Sequence, residues 1–463
     1  MRLKMASLAA VCAALLTLAS CLGSNDEVNY VYYDDTAITE FSLGTLNVYV
    51  HTKSSTGSDS VYVTTVSGSN YDFYIDQSKN EIYNVDSLPY GTDAAHVLAT
   101  ISSKNSGLIY IKSLKSDSLS YYSSTDSIDF SQPRTIEVVS QSAAYYRKYT
   151  VKVNVHQQKE DDFAWSRMAV QQDFAGMSGI KAVAKGDSLF VFGTDGNTTT
   201  AFVTARADGQ HFAKLPVSFT AGAYANAIAG HGKLYMLDGG VLKSSADGAT
   251  WTTVTTNAAL THLVGYGTKE MYALSEAGRI MSSADGGATW KADELDDNTS
   301  LLPTANLNFA LLPLKTNDEM ERVLLTGTRT GSANALVWSK IVDYSATATA
   351  YPWTFVDAAE DNRYSLQALP NLQVMCYGNQ LVAFGTDNGT LPAAMSVSLD
   401  QGITWRTDSV YALPAQAQSG IRVLSATADA DNFVWVVCTG TGEVWRGRLS
   451  QLGWKKENDS FLK

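Results

Sequence analysis

Two patterns of apolar and polar positions divide the chain. From about Glu40 to His156 the two classes alternate with a period of two, as in Leu46-Asn47-Val48-Tyr49-Val50, Val61-Tyr62-Val63, Phe73-Tyr74-Ile75, Leu108-Ile109-Tyr110-Ile111, Thr135-Ile136-Glu137-Val138-Val139 and Tyr149 to Val155. Alternation sets one face of a strand on a core and the other in water, and the Ser, Gly, Asn and Asp clusters between these runs supply turns. The pattern predicts an antiparallel β-sandwich over residues 38–158. Beyond Gln157-Gln158-Lys159-Glu160 the chain becomes repetitive. Leu189-Phe190-Val191-Phe192-Gly193-Thr194-Asp195 is echoed by Leu381-Val382-Ala383-Phe384-Gly385-Thr386-Asp387, and Leu234 to Asp238, Met271 to Ser275, Val323 to Gly327 and Phe433 to Val437 complete six copies.

A second motif recurs within these copies. Ser283-Ala284-Asp285-Gly286-Gly287-Ala288-Thr289-Trp290 and Ser398-Leu399-Asp400-Gln401-Gly402-Ile403-Thr404-Trp405 share the form S-x-D-x-G-x-T-W. Ser245 to Trp251, with Asp247, is one residue shorter, and Arg206 to Phe212, with Asp208, is a degenerate copy. The chemistry is that of a hairpin: the carboxylate accepts backbone N–H groups across the turn, Gly supplies positive φ, and Trp packs between sheets. Asp208, Asp247, Asp285, Asp400, Trp251, Trp290 and Trp405 are therefore read as structural. Asp208, Asp247 and Asp285 follow one another at 39 and 38 residues, a length that suits one four-stranded blade. The region resembles the BNR, or Asp-box, β-propeller superfamily, which implies a propeller over residues 163–463, with six blades favoured and seven as the alternative. Phe163-Ala164-Trp165-Ser166 reads as a fourth strand that either closes the ring with the C-terminal blade or belongs to a seventh. The copy with Trp338 and Trp353 has a longer loop, Asp343 to Ala348, in place of its Asp-box. In the first region, Asp129 to Pro133 with the two following strands resembles the end of immunoglobulin-like modules in Bacteroidetes surface lipoproteins. The fold class is thus all-β, an immunoglobulin-like sandwich followed by a propeller.

The N-terminus adds a location. Arg2 and Lys4 precede an apolar run from Met5 to Ala19, too short for a bilayer span and of signal-peptide form. It ends in Leu18-Ala19-Ser20-Cys21, which resembles the lipobox of bacterial lipoproteins. That resemblance implies a signal peptide over residues 1–20, lipidation of Cys21 and a tether over residues 21–37. Ser24, Asp26 and Glu27 resemble the acidic signal that sends Bacteroidetes lipoproteins to the outer face of the outer membrane. The partner expected from these residues is the membrane, through the lipid. Cys12 leaves with the signal peptide, and Cys376 and Cys438, in apolar strand contexts of different repeats, are expected to be buried free thiols, with a disulfide between them as the alternative.

Composition and charge narrow the remaining choices. With 463 residues, 24 Tyr and 34 Gly against 9 Pro, the chain suits two domains rich in strands and turns. The formal charge is −12, and loss of Arg2 and Lys4 makes it more negative still, so nucleic acid is excluded as a partner. A sialidase needs an R-I-P-like motif on an early strand; here Arg279-Ile280 is followed by Met281 at the head of an Asp-box strand. The turns between second and third strands carry Asp195, Asp238, Glu276, Asp387, Glu443 and Arg329, on the face opposite the Asp-boxes. Copies differ most there, which makes Asp195, Arg329, Asp387 and Glu443 the candidate ligand face. His211, His231 and His262 lack metal-ligand spacing and read as structural; neither metal nor cofactor is expected. The function expected is that of a binding or scaffold protein for a glycan or protein ligand, with a glycoside hydrolase as the alternative.

Overall fold

The computed structural model describes residues 31–53, 58–314, 317–356 and 362–450. Cys21, the signal peptide and Ser24, Asp26 and Glu27 lie outside the described residues. The chain forms two compact units that divide in sequence between Lys159 and Glu160.

In the N-terminal unit a six-stranded sheet runs in the order Phe73–Asp76, Glu81–Asn84, Tyr146–Lys152, Arg134–Val139, Leu108–Lys112, Leu119–Tyr121. Its neighbours are antiparallel except for Glu81–Asn84 and Tyr146–Lys152, which run parallel. Ile38–Leu43 pairs with Ala99–Ser103, and Thr45–Lys53 with Asp59–Ser67. The inward positions of the alternating runs meet in one core that includes Ile38, Phe41, Leu46, Ile82, Phe130, Ile136, Val138, Tyr149 and Val151. The Tyr149 hydroxyl is satisfied there, donating to Gln77 Oε1 at 2.6 Å and accepting from the Ile38 N–H at 3.2 Å.

The second unit consists of six four-stranded sheets. Blade 1 is Gly179–Lys185, Ser188–Thr194, Thr198–Ala205 and Ala213–Thr220; blade 2 is Ala227–Gly230, Lys233–Asp238, Val241–Ser245 and Thr252–Thr253. Blade 3 is Leu260–Tyr266, Met271–Ser275, Ile280–Ser283 and Lys291–Ala292; blade 4 is Ala305–Pro313, Met320–Thr328, Leu336–Asp343 and Thr354–Phe355. Blade 5 is Gln373–Tyr377, Gln380–Phe384, Ala394–Ser398 and Arg406–Ala412. Blade 6 takes Leu424–Ala428, Val434–Cys438 and Val444–Leu449 from the C-terminal end and its outer strand, Phe163–Arg167, from the start of the unit. The first strands neighbour one another in cyclic order, blade 6 meeting blade 1. The strand Phe163–Arg167 therefore closes a six-bladed β-propeller, and the described residues of this unit hold no seventh sheet.

Each blade is covered on both faces by its neighbours, so its second strand is apolar without alternation: Leu189 to Phe192, Val323 to Leu325 and Val434 to Cys438 are all buried. Six apolar clusters fill the six interfaces between blades. At or next to its outer strand each blade sends one aromatic ring into the cluster it shares with the preceding blade: Phe212, Trp251, Trp290, Trp353, Trp405 and, for blade 6, Trp165. Trp251, Trp290 and Trp405 each donate the indole N–H to the carbonyl of the motif glycine, Gly248, Gly287 or Gly402, at 2.8, 2.8 and 3.0 Å. Asp285 accepts the Thr289 N–H at 2.9 Å and the Ser283 hydroxyl at 2.8 Å, and Asp247 and Asp400 make the corresponding bonds. In the degenerate copy the Asp208 carboxylate keeps, among the described residues, a 3.2 Å bond from the His211 N–H and a 3.4 Å contact with its ring. Blade 4, without a box, ties Trp353 Nε1 to Asp293 at 2.9 Å, beside Lys340 at 2.7 Å from the same carboxylate.

Candidate functional site

The six first strands enclose a central channel with a cavity of about 520 Å³. One register position of each first strand, or of the residue leading into it, carries a polar side chain: Lys181, Asn226, His262, Asn308, Gln373 and Ser425 in blades 1 to 6. The outward N–H groups of an innermost strand have no partner within their own sheet, and four of these side chains supply one across the blade boundary. Asn226 accepts the Leu263 N–H at 3.0 Å, Asn308 that of Val374 at 3.1 Å, Gln373 that of Ala426 at 2.8 Å and Ser425 that of Ala182 at 3.0 Å. Each acceptor thus clasps the residue just after the equivalent position in the next blade.

Lysine has no acceptor to offer, so in blade 1 the link is reversed. Lys181 Nζ donates to the Ala225 carbonyl of blade 2 at 2.9 Å. Burial holds its ammonium well below the usual lysine range, at about 8. His262 has no hydrogen bond from its ring among the described residues. Burial, reinforced by the charge of Lys181, depresses its imidazole to about 3, so it is neutral at pH 7. Among the described residues no carboxylate lines the cavity, whose other titratable residues are Tyr224 and Tyr266. Tyr224 lies over the start of blade 1: a Cβ added at Gly179 would fall 2.3 Å from its ring.

Alternating strand directions put the turns between second and third strands at the end where the first strands begin, which is also the end nearer this ring of polar residues. The four candidate residues are spread along that face. Asp195 and Asp387 are exposed on their turns. Asp195 accepts the N–H groups of Asn197 and Thr198 at 2.8 Å each, which hold its carboxyl below the usual range. Asp387 accepts from the Asn388 side chain at 2.9 Å. Arg329 is half-buried, with Nη1 bonded to the Leu302 carbonyl at 2.9 Å. Glu443 differs: it is fully buried, paired with Arg167 at 2.8 Å and bonded to the Gln418 N–H at 2.9 Å. Its Oε1 faces Arg167 on the strand that closes blade 6, and its Oε2 holds the segment that leads from blade 5 into blade 6. No hydrogen bond or ion pair joins any two of the four among the described residues.

Lys181 and the ring it belongs to are not apparent from motifs. The available signal is a register signal: aligning first strands shows one polar residue per copy at the same place in otherwise apolar runs. His262, expected to be structural, stands at one of these places without a protein partner.

The family described as the DUF6242 beta propeller domain matches residues 159–457, and the DUF6242 N-terminal domain, a domain of unknown function, matches residues 41–153. The chain belongs to the DUF6242 family. No curated protein matches it. Among solved structures, this DUF6242 chain is similar to a carbohydrate-active enzyme of family AA12 from Trichoderma reesei at 11% identity and TM-score 0.36, covering 64% of this chain and 99% of that one. It is also similar to BamB from Moraxella catarrhalis (12%, TM-score 0.32, 62% and 98% covered) and to YCF48 bound to D1 peptide (13%, TM-score 0.33, 62% and 95% covered).

Proposed function

We propose that this protein is a lipid-anchored binding protein of the bacterial outer surface, held through Cys21, that takes its ligand at the channel end of the propeller. The observation that carries the binding reading is the channel itself: a cavity of about 520 Å³, inside the usual range for ligand sites, with polar groups converging at one level and no carboxylate among the described lining residues. Glycoside hydrolysis by the usual route needs two carboxylates facing each other across the bound sugar. Glu443, the least exposed of the candidate carboxylates, is already engaged with Arg167 and Gln418. The anchor and the outward orientation rest on Leu18-Ala19-Ser20-Cys21 and on Ser24, Asp26 and Glu27.

Cell fractionation tests the anchor. Cys21→Ser is expected to leave the membrane fraction, because one residue carries all the acyl chains; quantitative retention with the membrane would refute lipidation. Digestion by proteinase added to intact cells is the expected sign of outward display, and protection would place the protein on the periplasmic side. For the ligand, the purified full chain is applied to arrays of glycans and surface proteins. Capture without cleavage, lost in Thr427→Trp, whose indole would fill the channel, supports the reading. Release of sugars from any arrayed glycan would replace it with the hydrolase.

A further inference from the structure

Blades 2, 4, 5 and 6 each commit a side-chain oxygen to the N–H of the next blade. Blades 1 and 3 place an amine and an imidazole at the same level of the same channel. An amide there would bond the ring as Asn308 and Gln373 do, without taking a cation out of water. Desolvating an ammonium with only a neutral carbonyl for company costs stability. Lys181 and His262 therefore weaken the ring they stand in, and strongly perturbed titratable groups converging in a cavity mark a functional site.

We propose that Lys181 and His262 bind an oxyanion, the phosphate or carboxylate group of a ligand that enters the propeller channel. This assignment rests on the channel reading given above and adds the ligand class to it. Lys181 Nζ spends one proton on Ala225 and keeps two for a ligand. The His262 ring lines the cavity with no hydrogen-bond partner among the described residues and, next to an anion, regains the proton that burial and Lys181 keep from it. With no carboxylate among the described lining residues, none of these residues offsets the positive field, and charge-assisted bonds gain strength where water is scarce.

The test uses the full chain in buffer free of multivalent anions, with inorganic phosphate as the probe and sodium chloride at matched ionic strength as the control. Phosphate is expected to raise Tm and to bind once per chain. Lys181→Gln and His262→Asn supply the oxygen that the other blades use, so both variants are expected to equal or exceed wild-type Tm without phosphate. Each is expected to weaken phosphate binding by roughly tenfold or more. The His262 imidazole, followed by NMR, is expected to titrate at higher pH in the phosphate complex. No rise beyond that in chloride overturns the proposal. An equal rise in wild type and variants means an adventitious ion only, and also overturns it. Loss of fold in both variants without phosphate would make the pair structural struts. Failure here is separable from failure of the channel reading: glycan or protein capture that disappears in Thr427→Trp while phosphate does not bind keeps the channel and removes the anion.

Discussion

Trp290→Ala tests whether the rings at the outer strands hold adjacent blades together. Trp290 is 6% exposed and lies in the cluster formed by Tyr235, Leu237 and Leu242 of blade 2 with Leu260 and Leu263 of blade 3. Removing it opens a void between two sheets whose backbones are held by their own ladders and cannot collapse into the space. An indole buries about 200 Å² of surface, worth roughly 5 kcal/mol at ~25 cal/mol per Å². Measured Trp→Ala losses in cores are about 3–5 kcal/mol, and the Gly287 carbonyl also loses its donor. At about 2–4 °C per kcal/mol for domains approaching this size, the propeller transition should fall by roughly 6–20 °C. Differential scanning calorimetry of the full chain reads it directly. Trp290→Phe should recover much of the loss, because area outweighs one hydrogen bond, and Trp251→Ala should cost less because Trp251 is only half-buried. A Trp290→Ala loss below about 1 kcal/mol, the centre of ordinary point-mutant effects, would refute the wedge argument.

Glu443→Ala leaves the Gln418 N–H and Arg167 without their buried partner; because Arg167 can turn to solvent, the cost is about 1.5–3 kcal/mol, read by chemical denaturation, and an unchanged midpoint would remove Glu443 from the closure. Asp247 and Asp285 are held at about 2, Asp247 chiefly by the Thr250 and Ala249 N–H groups and Asp285 chiefly by the Thr289 hydroxyl and N–H. Because these folded-state values lie below those of the unfolded chain, the stability they confer is present above about pH 4 and lost as pH falls toward 2; the double Asn variant should show a shallower acid transition, and an identical one would refute the assignment. His262 is depressed to about 3 from an ordinary value near 6.5, so the unfolded chain binds its proton first and stability declines as pH drops through 6.5 toward 3. His262→Asn should remove that part of the decline in a pH series of melting curves, and a wild-type slope in the variant would show that the imidazole is not buried in solution.

The repeat and the hairpin chemistry were legible because they are local. Ser, Asp, Gly, Thr and Trp at fixed offsets define a turn whose Ser, Asp and indole side-chain bonds fall within eight residues, and period-two alternation reports a strand with one wet face. The continuous apolar runs are also local, although their cause, a sheet sandwiched between two others, is not. Position on a turn was the limit of what a motif could say about Glu443: the partner that buries it, Arg167, is far away in sequence and meets it only when the ring closes. The channel ring was equally out of reach, since Lys181 and His262 belong to no motif and become neighbours only because six first strands converge on one axis.

An all-β chain, the hairpin role of Asp247, Asp285 and Asp400, the aromatic rings carried near the outer strands and the succession of blades are all written into the residue order. It takes the closed ring to show that there are six blades with Phe163–Arg167 in the last, that Glu443 is an internal pin, and that a lysine and a histidine share a cavity with no carboxylate among its described lining residues. The reason is range: hydrogen bonds within a turn are set by neighbours in the chain, whereas burial and electric field are set by whatever the closed ring brings near.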